Sequence, residues 1–174
     1  MIRRILFLFL IFSFVVSCGS SKKVNGEANK RTINRKGRKT RSNDASTADK
    51  IVWTAVTFKG APYKYGGTNR NGMDCSGLIY TSFKKRNIVI PRTSIQMYSI
   101  GYKIPLRSVQ RGDLLFFKIA KKRNRVNHVG LVTSVKNNDI KFIHSTSSRG
   151  VIVSSLNEPY WKRAFINAKR VLDE

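Results

Sequence analysis

The chain holds two cysteines and two histidines, and three of these four residues can be assembled into one reactive site. Cys75 lies in Asp74-Cys75-Ser76-Gly77, where an irregular loop gives way to a helical pattern. A thiol at the start of a helix meets backbone N–H groups that have no partner inside the helix. Their partial positive charge favours thiolate and is expected to lower the pKa from about 8.5. Ser76 and Gly77 are small and are expected to let a substrate approach the helix end. A cysteine so placed becomes a nucleophile if a base is within reach. His128 opens one strand pattern (NHVGLV) and His144 closes the next (KFIHST). The turn between them centres near Asn137 and Asn138, and the midpoint of 128 and 144 is 136. An antiparallel hairpin is therefore expected to set the two imidazoles almost opposite each other, roughly 5 Å apart at Cβ. In that arrangement Cys75 attacks, His128 takes and returns the proton, and His144 orients His128.

Each residue alone has a blander reading. A single cysteine is most often a small buried hydrophobe, and a strand histidine usually has a structural role. A metal held by one thiol and two imidazoles is the rival chemistry. It needs a fourth ligand or water, and no further Cys or His is free to serve. No metal and no cofactor are expected.

The elements that must position these residues follow from periodicity and punctuation. Residues 50–59 read as a helix with Ile51, Val52, Ala55 and Phe58 on one face, capped by Asp49 or Thr47 and stopped by Gly60 and Pro62. From Cys75 onward, Leu78, Ile79, Ser82 and Phe83 share a face, basic residues fill the last turn, and Asn87 terminates. Another helix is predicted over 94–100, ended by Gly101. Strands are predicted over 113–119, 129–135, 140–144 and 151–154, with a hairpin turn at 136–139. A closing helix is predicted over 160–169. Helices first and antiparallel strands second make an α+β domain, placed at residues 50–174.

Residues 1–17 have the form of a signal peptide: Arg3 and Arg4, then an apolar run from Ile5 to Val16 broken only by Ser13. The run is shorter than the roughly 20 residues of a transmembrane helix. Val15-Val16-Ser17-Cys18-Gly19 resembles the lipobox of bacterial lipoproteins, which implies that Cys18 is lipidated. Cys75 is then left as a free thiol, with no disulfide partner. Residues 18–49 carry few large aliphatic residues and no aromatics, so they read as a disordered basic tether.

The chain has 34 Lys and Arg against 9 Asp and Glu, a net charge of +25. Residues 51–174 hold 22 of the basic residues and 6 of the acidic ones, so the folded part is itself strongly basic. Such a field attracts polyanions. Export directs it toward cell-wall anions and lipid head groups and away from nucleic acid, which is not expected as a partner.

Tyr63-Lys64-Tyr65-Gly66-Gly67, Asp74-Cys75-Ser76-Gly77, Pro91-Arg92, Arg111-Gly112-Asp113-Leu114, His128-Val129-Gly130 and His144-Ser145-Thr146 resemble, in that order, the motifs of the NlpC family of papain-like cell-wall peptidases. The run 150–161 is similar to the Spr (MepS) group of murein endopeptidases, which are lipoproteins. The likeness covers roughly residues 50–172. It implies a papain-like α+β fold, N-terminal helices packed on a small antiparallel β-sheet, and a Cys75–His128–His144 triad. It further implies that Tyr63 helps stabilise the oxyanion and that Asp74 and Ser76 contact bound peptide, although Tyr63 as a packing residue and Asp74 as a helix cap stay open.

The function so implied is hydrolysis of stem-peptide or cross-link bonds in peptidoglycan, at D-alanyl–diaminopimelate or D-glutamyl–diaminopimelate. The protein would be a monomer in the cell envelope, lipid-anchored to a membrane facing the periplasm and expected in the outer membrane. A non-catalytic wall-binding lipoprotein and an acyltransferase using the same three residues are the alternatives.

Overall fold

The computed structural model describes residues 45–119 and 125–172. The leader, Cys18 and most of the expected tether lie outside those residues. The first described element is α1 (Thr47–Thr57). Ser46 caps it: its Oγ accepts the Asp49 N–H at 3.1 Å and also bonds the Asp49 carboxylate at 3.1 Å. This is a capping box with Asp in the reciprocal position. The cap is neither Asp49 nor Thr47, and the helix takes residues 47–49 from the segment read as tether. Arg111 pairs with Asp49 at 2.6 Å, tying the start of α1 to a segment near the middle of the domain's sequence.

The loop before Cys75 contains a two-residue hairpin, β1 (Thr68–Asn69) with β2 (Gly72–Met73). Then come α2 (Cys75–Lys84), α3 (Ser94–Met97), β3 (Tyr102–Ile104), β4 (Leu114–Phe117), β5 (His128–Lys136), β6 (Asp139–Thr146), β7 (Gly150–Ser155), α4 (Pro159–Ala164) and β8 (Phe165–Arg170). Helix α3 is a single turn, shorter than the span 94–100. The span 160–169 is not one helix: it divides into α4 and β8. Strand β8 inserts between β3 and β4, giving a six-stranded antiparallel sheet of order β3-β8-β4-β5-β6-β7. Long-range pairing overrides local helical pattern here, as it commonly does for short segments.

Strand β4 shows why its sequence is apolar at every position. Leu114 and Phe116 face the core under α1 and α2, with Ile51, Leu78, Phe83 and Val129. Leu115 and Phe117 face a second core with Val132, Phe142, Trp161 and Ala168. Successive strand residues point to opposite faces, and both faces are covered.

The β5–β6 turn runs through Asn137 and Asn138, with φ of 50° and 62°. Two left-handed residues in a two-residue loop match the twist of the flanking strands. Lys136 pairs with Asp139 and Val135 with Ile140, but the register shifts between Val132 and Ser134, after which Leu131 pairs with Ile143. Extending that register sets His144 across from Gly130, with His128 two residues farther along. The histidines are therefore diagonal neighbours on one face and not opposite partners.

Candidate active site

Cys75 is the first residue of α2, and Asp74 is its N-cap. The Asp74 carboxylate accepts the Gly77 N–H on Oδ1 at 2.6 Å and the Gly66 N–H on Oδ2 at 2.8 Å. Ser76 Oγ donates to Oδ1 at 3.1 Å. Arg92 donates to both oxygens, at 3.1 and 2.9 Å, and to Ser76 Oγ at 2.9 Å. Asp74 thus ties the Tyr63–Gly67 loop, the start of α2 and the Pro91-Arg92 segment together. Burial alone would raise its carboxyl, but the bonds from Arg92, the Gly77 N–H and Ser76 outweigh that and hold it below the usual carboxylate range. Gly77 is small for a reason other than substrate access. A Cβ there would lie 2.0 Å from the Gly67 carbonyl oxygen, so the loop itself occupies the space.

The backbone N–H groups of Val129, Ser76 and Cys75 all favour negative charge on the sulfur. Burial is nevertheless the larger effect, and it pushes the thiol up to about 11, with the Asp74 charge adding to the rise. The expected lowering by the helix N-terminus is therefore reversed, because the half-exposed residue keeps its sulfur away from water while the N–H contacts offset only part of that cost.

His128 and His144 are both buried. His128 Nε2 lies 3.0 Å from His144 Nδ1, and His144 Nε2 lies 3.1 Å from Ser154 Oγ. Trp161, on α4, stacks on His128 with ring centroids 5.3 Å apart and meets His144 edge-on at 4.5 Å. Phe117 and Phe142 close the remaining sides, at 5.9 Å from His128 and 4.7 Å from His144. Burial lowers the pKa of both imidazoles, and for His144 the neighbouring His128 and Arg149 add to it. Both rings are thus held neutral. With Nε2 of His128 committed to His144, the nitrogen left for a thiol is Nδ1.

Two adjoining hollows of about 350 and 400 Å³ share Tyr63, Cys75 and Asn127. One continues past His128, Tyr160 and Trp161, and the other past Asp74, Ser76 and Arg92. Together they make a groove, and Cys75 lies on the wall common to both arms. Tyr63 is partly exposed in that groove, and its backbone bridges to Met73. Burial raises the Tyr63 phenol, and the nearby Cys75 and Asp74 charges raise it further. Asp74 and Ser76 line the groove, yet their polar atoms are spent on each other, on Arg92 and on the backbone. Spacing and residue type assign no role to Arg92, Ser154 or Trp161. A basic residue following Pro91 was the available signal for Arg92. A serine in a β-branched strand and a tryptophan in a short helix gave none.

Residues 60–170 match the model of the NlpC/P60 family. The chain belongs to the NlpC/P60 family. It is 39% identical over 115 residues to a probable endopeptidase of Haemophilus influenzae, covering 66% of this chain and 68% of that protein. It is 35% identical over 124 residues to the murein DD-endopeptidase MepS/murein LD-carboxypeptidase of Escherichia coli, covering 71% of this chain and 62% of the relative. An NlpC/P60 family protein from Bacillus cereus superposes with a TM-score of 0.66 at 32% identity, covering 75% of this chain and 42% of that one. The matched region therefore spans about two thirds of these curated relatives and under half of the solved structure. The α+β sheet-and-helix arrangement described above is that of the family's NlpC/P60 domain.

Proposed function

We propose that this chain is a cysteine peptidase of the cell envelope that hydrolyses peptide bonds of peptidoglycan. The observation that carries the reading is that Cys75, at a helix start, lines the same hollow as His128, whose Nε2 is committed to the buried His144 and whose Nδ1 is left for the thiol. Relatives named as murein endopeptidases support the substrate class.

Cys75 Sγ bonds to the carbonyl carbon of the scissile peptide, and the thiol proton passes to His128 Nδ1. The carbonyl oxygen gains negative charge, and the Cys75 N–H and Tyr63 hydroxyl are its proposed donors. The C–N bond then breaks, and His128 returns the proton to the leaving amine. Water attacks the resulting thioester, giving its proton to His128. The C–S bond then breaks, His128 returns the proton to the sulfur, and the freed acid loses its own proton to solvent. Because burial disfavours both charges, the proton moves as the bond forms, so His128 works as a general base on a neutral thiol. Asp74, Ser76 and Arg92 form the wall of one arm of the groove and hold its shape.

Purified sacculi incubated with the protein should release peptide fragments, and Cys75→Ala should release none while keeping its fold. Equal release by that variant would remove the reading. The finer bond choice, D-alanyl–diaminopimelate over D-glutamyl–diaminopimelate, is read from mass spectra of the released fragments. We further read Cys18 as a lipid anchor to the outer membrane and the protein as a monomer. Membrane retention of a Cys18→Ala variant would count against the anchor.

A further inference from the structure

We infer that Ser154 is a positioning residue that sets the proton arrangement of the His128–His144 pair. The inference rests on the catalytic reading above. Ser154 is buried on β7, and its Oγ lies 3.1 Å from His144 Nε2. Two serines end the strand after Val151, Ile152 and Val153: the Ser155 hydroxyl bonds Asp139, and the buried Ser154 is the one that faces His144.

The consequence follows from hydrogen-bond bookkeeping along the chain of rings. A neutral imidazole has one N–H and one bare nitrogen. To accept the thiol proton, His128 must be bare at Nδ1 and therefore carry its hydrogen on Nε2. That N–H points at His144 Nδ1, 3.0 Å away, which must then be bare. His144 must in turn carry its hydrogen on Nε2, aimed at Ser154 Oγ. A hydroxyl oxygen there accepts that hydrogen. A methyl group there leaves a buried N–H without a partner, and buried N–H groups are seldom left so.

His144 then gains by moving its hydrogen to Nδ1, where it meets His128 Nε2. His128 is driven to carry its own hydrogen on Nδ1, facing the sulfur, and the base is lost. His144 orients His128 only as long as something orients His144. Trp161, Phe142 and Phe117 fix the planes of the rings but cannot choose between their nitrogens.

The test uses the full chain, with Ser154→Ala and Ser154→Thr beside the parent. Ser154→Thr keeps the hydroxyl on a β-branched side chain that a strand accepts. Ser154→Ala should lower kcat on sacculus peptides roughly ten- to a hundred-fold, the range for stranding one buried donor, with KM within about two-fold. Ser154→Thr should recover most of the loss.

Nitrogen NMR of the substrate-free protein should show both histidines protonated at Nε2 in the parent and a shift toward Nδ1 in Ser154→Ala. Nδ1 protonation of His144 in the parent overturns the proposal, as does Ser154→Ala with parental kcat and an unchanged tautomer. The spectra need no turnover. If Cys75→Ala left cleavage intact while Ser154→Ala still moved the tautomers, the peptidase reading would fall and the role of Ser154 in the pair would stand.

Discussion

Replacing Asp74 by Asn tests whether this side chain holds the site together or reads the substrate. The change is nearly isosteric, so it removes charge and one acceptor and little else. Asn has one carbonyl oxygen and one NH₂ group. In the structure Oδ1 receives the Gly77 N–H, the Ser76 hydroxyl and Arg92, while Oδ2 receives the Gly66 N–H and Arg92. Whichever way the amide turns, its NH₂ faces at least two donors, so no rotamer satisfies both backbone N–H groups. A stranded buried group costs about 1–3 kcal/mol. The lost ion pair with Arg92 adds less, because Arg92 is about a third exposed and screened by water. The sum is about 1–4 kcal/mol, against a typical domain stability of about 5–15 kcal/mol.

Urea unfolding with linear extrapolation measures it. The pH dependence supplies a second check. A carboxyl with a depressed folded pKa contributes stability that is present above its unfolded value of about 3.9 and lost as pH falls through the folded value. Asp74→Asn should therefore flatten the stability curve below about pH 4. Stability within about 0.5 kcal/mol of the parent, together with a raised KM, would refute the structural role and restore Asp74 as a peptide contact.

Two other outcomes are expected. Alkylation of Cys75 by iodoacetamide consumes thiolate, so with the thiol pushed up to about 11 its rate should climb roughly ten-fold per pH unit from pH 7 to 10. A plateau below pH 8 would mean that the helix N-terminus and His128 overcome burial. Gly77→Ala puts a methyl 2.0 Å from the Gly67 carbonyl oxygen and should destabilise the domain by about 1–3 kcal/mol, as judged by thermal unfolding. A parental melting temperature would show that the loop is not seated there.

What could be read from sequence, and what could not, divides by the distance over which the physics acts. Leu78, Ile79, Ser82 and Phe83 lie on the buried face of α2 as their spacing requires, because helical periodicity is local. The Asn137-Asn138 turn was legible for the same reason. The sequence points to Asp49 or Thr47 as the cap of α1, and only the bonds between Ser46 and Asp49 show that Ser46 opens the helix. Residues 160–169 carry a helical pattern throughout, and only pairing with β3 and β4, distant in sequence, turns their second half into strand β8.

The histidine pair shows the limit most sharply. Counting back from the turn brings His128 and His144 onto one hairpin, but a shift of one residue near Thr133 decides whether they share a face: the register at the turn would set His144 across from Leu131, and the shift sets it across from Gly130, on the face that carries His128. The diagonal geometry presents Nε2 of one ring to Nδ1 of the other, and that contact, not proximity alone, dictates which nitrogen can face the thiol. The proton arrangement then depends on a serine one strand farther away, which no spacing rule connects to a histidine ten residues earlier. Residue types and rough placement are one-dimensional information; the direction of a proton transfer is set by atoms that only the folded sheet brings together.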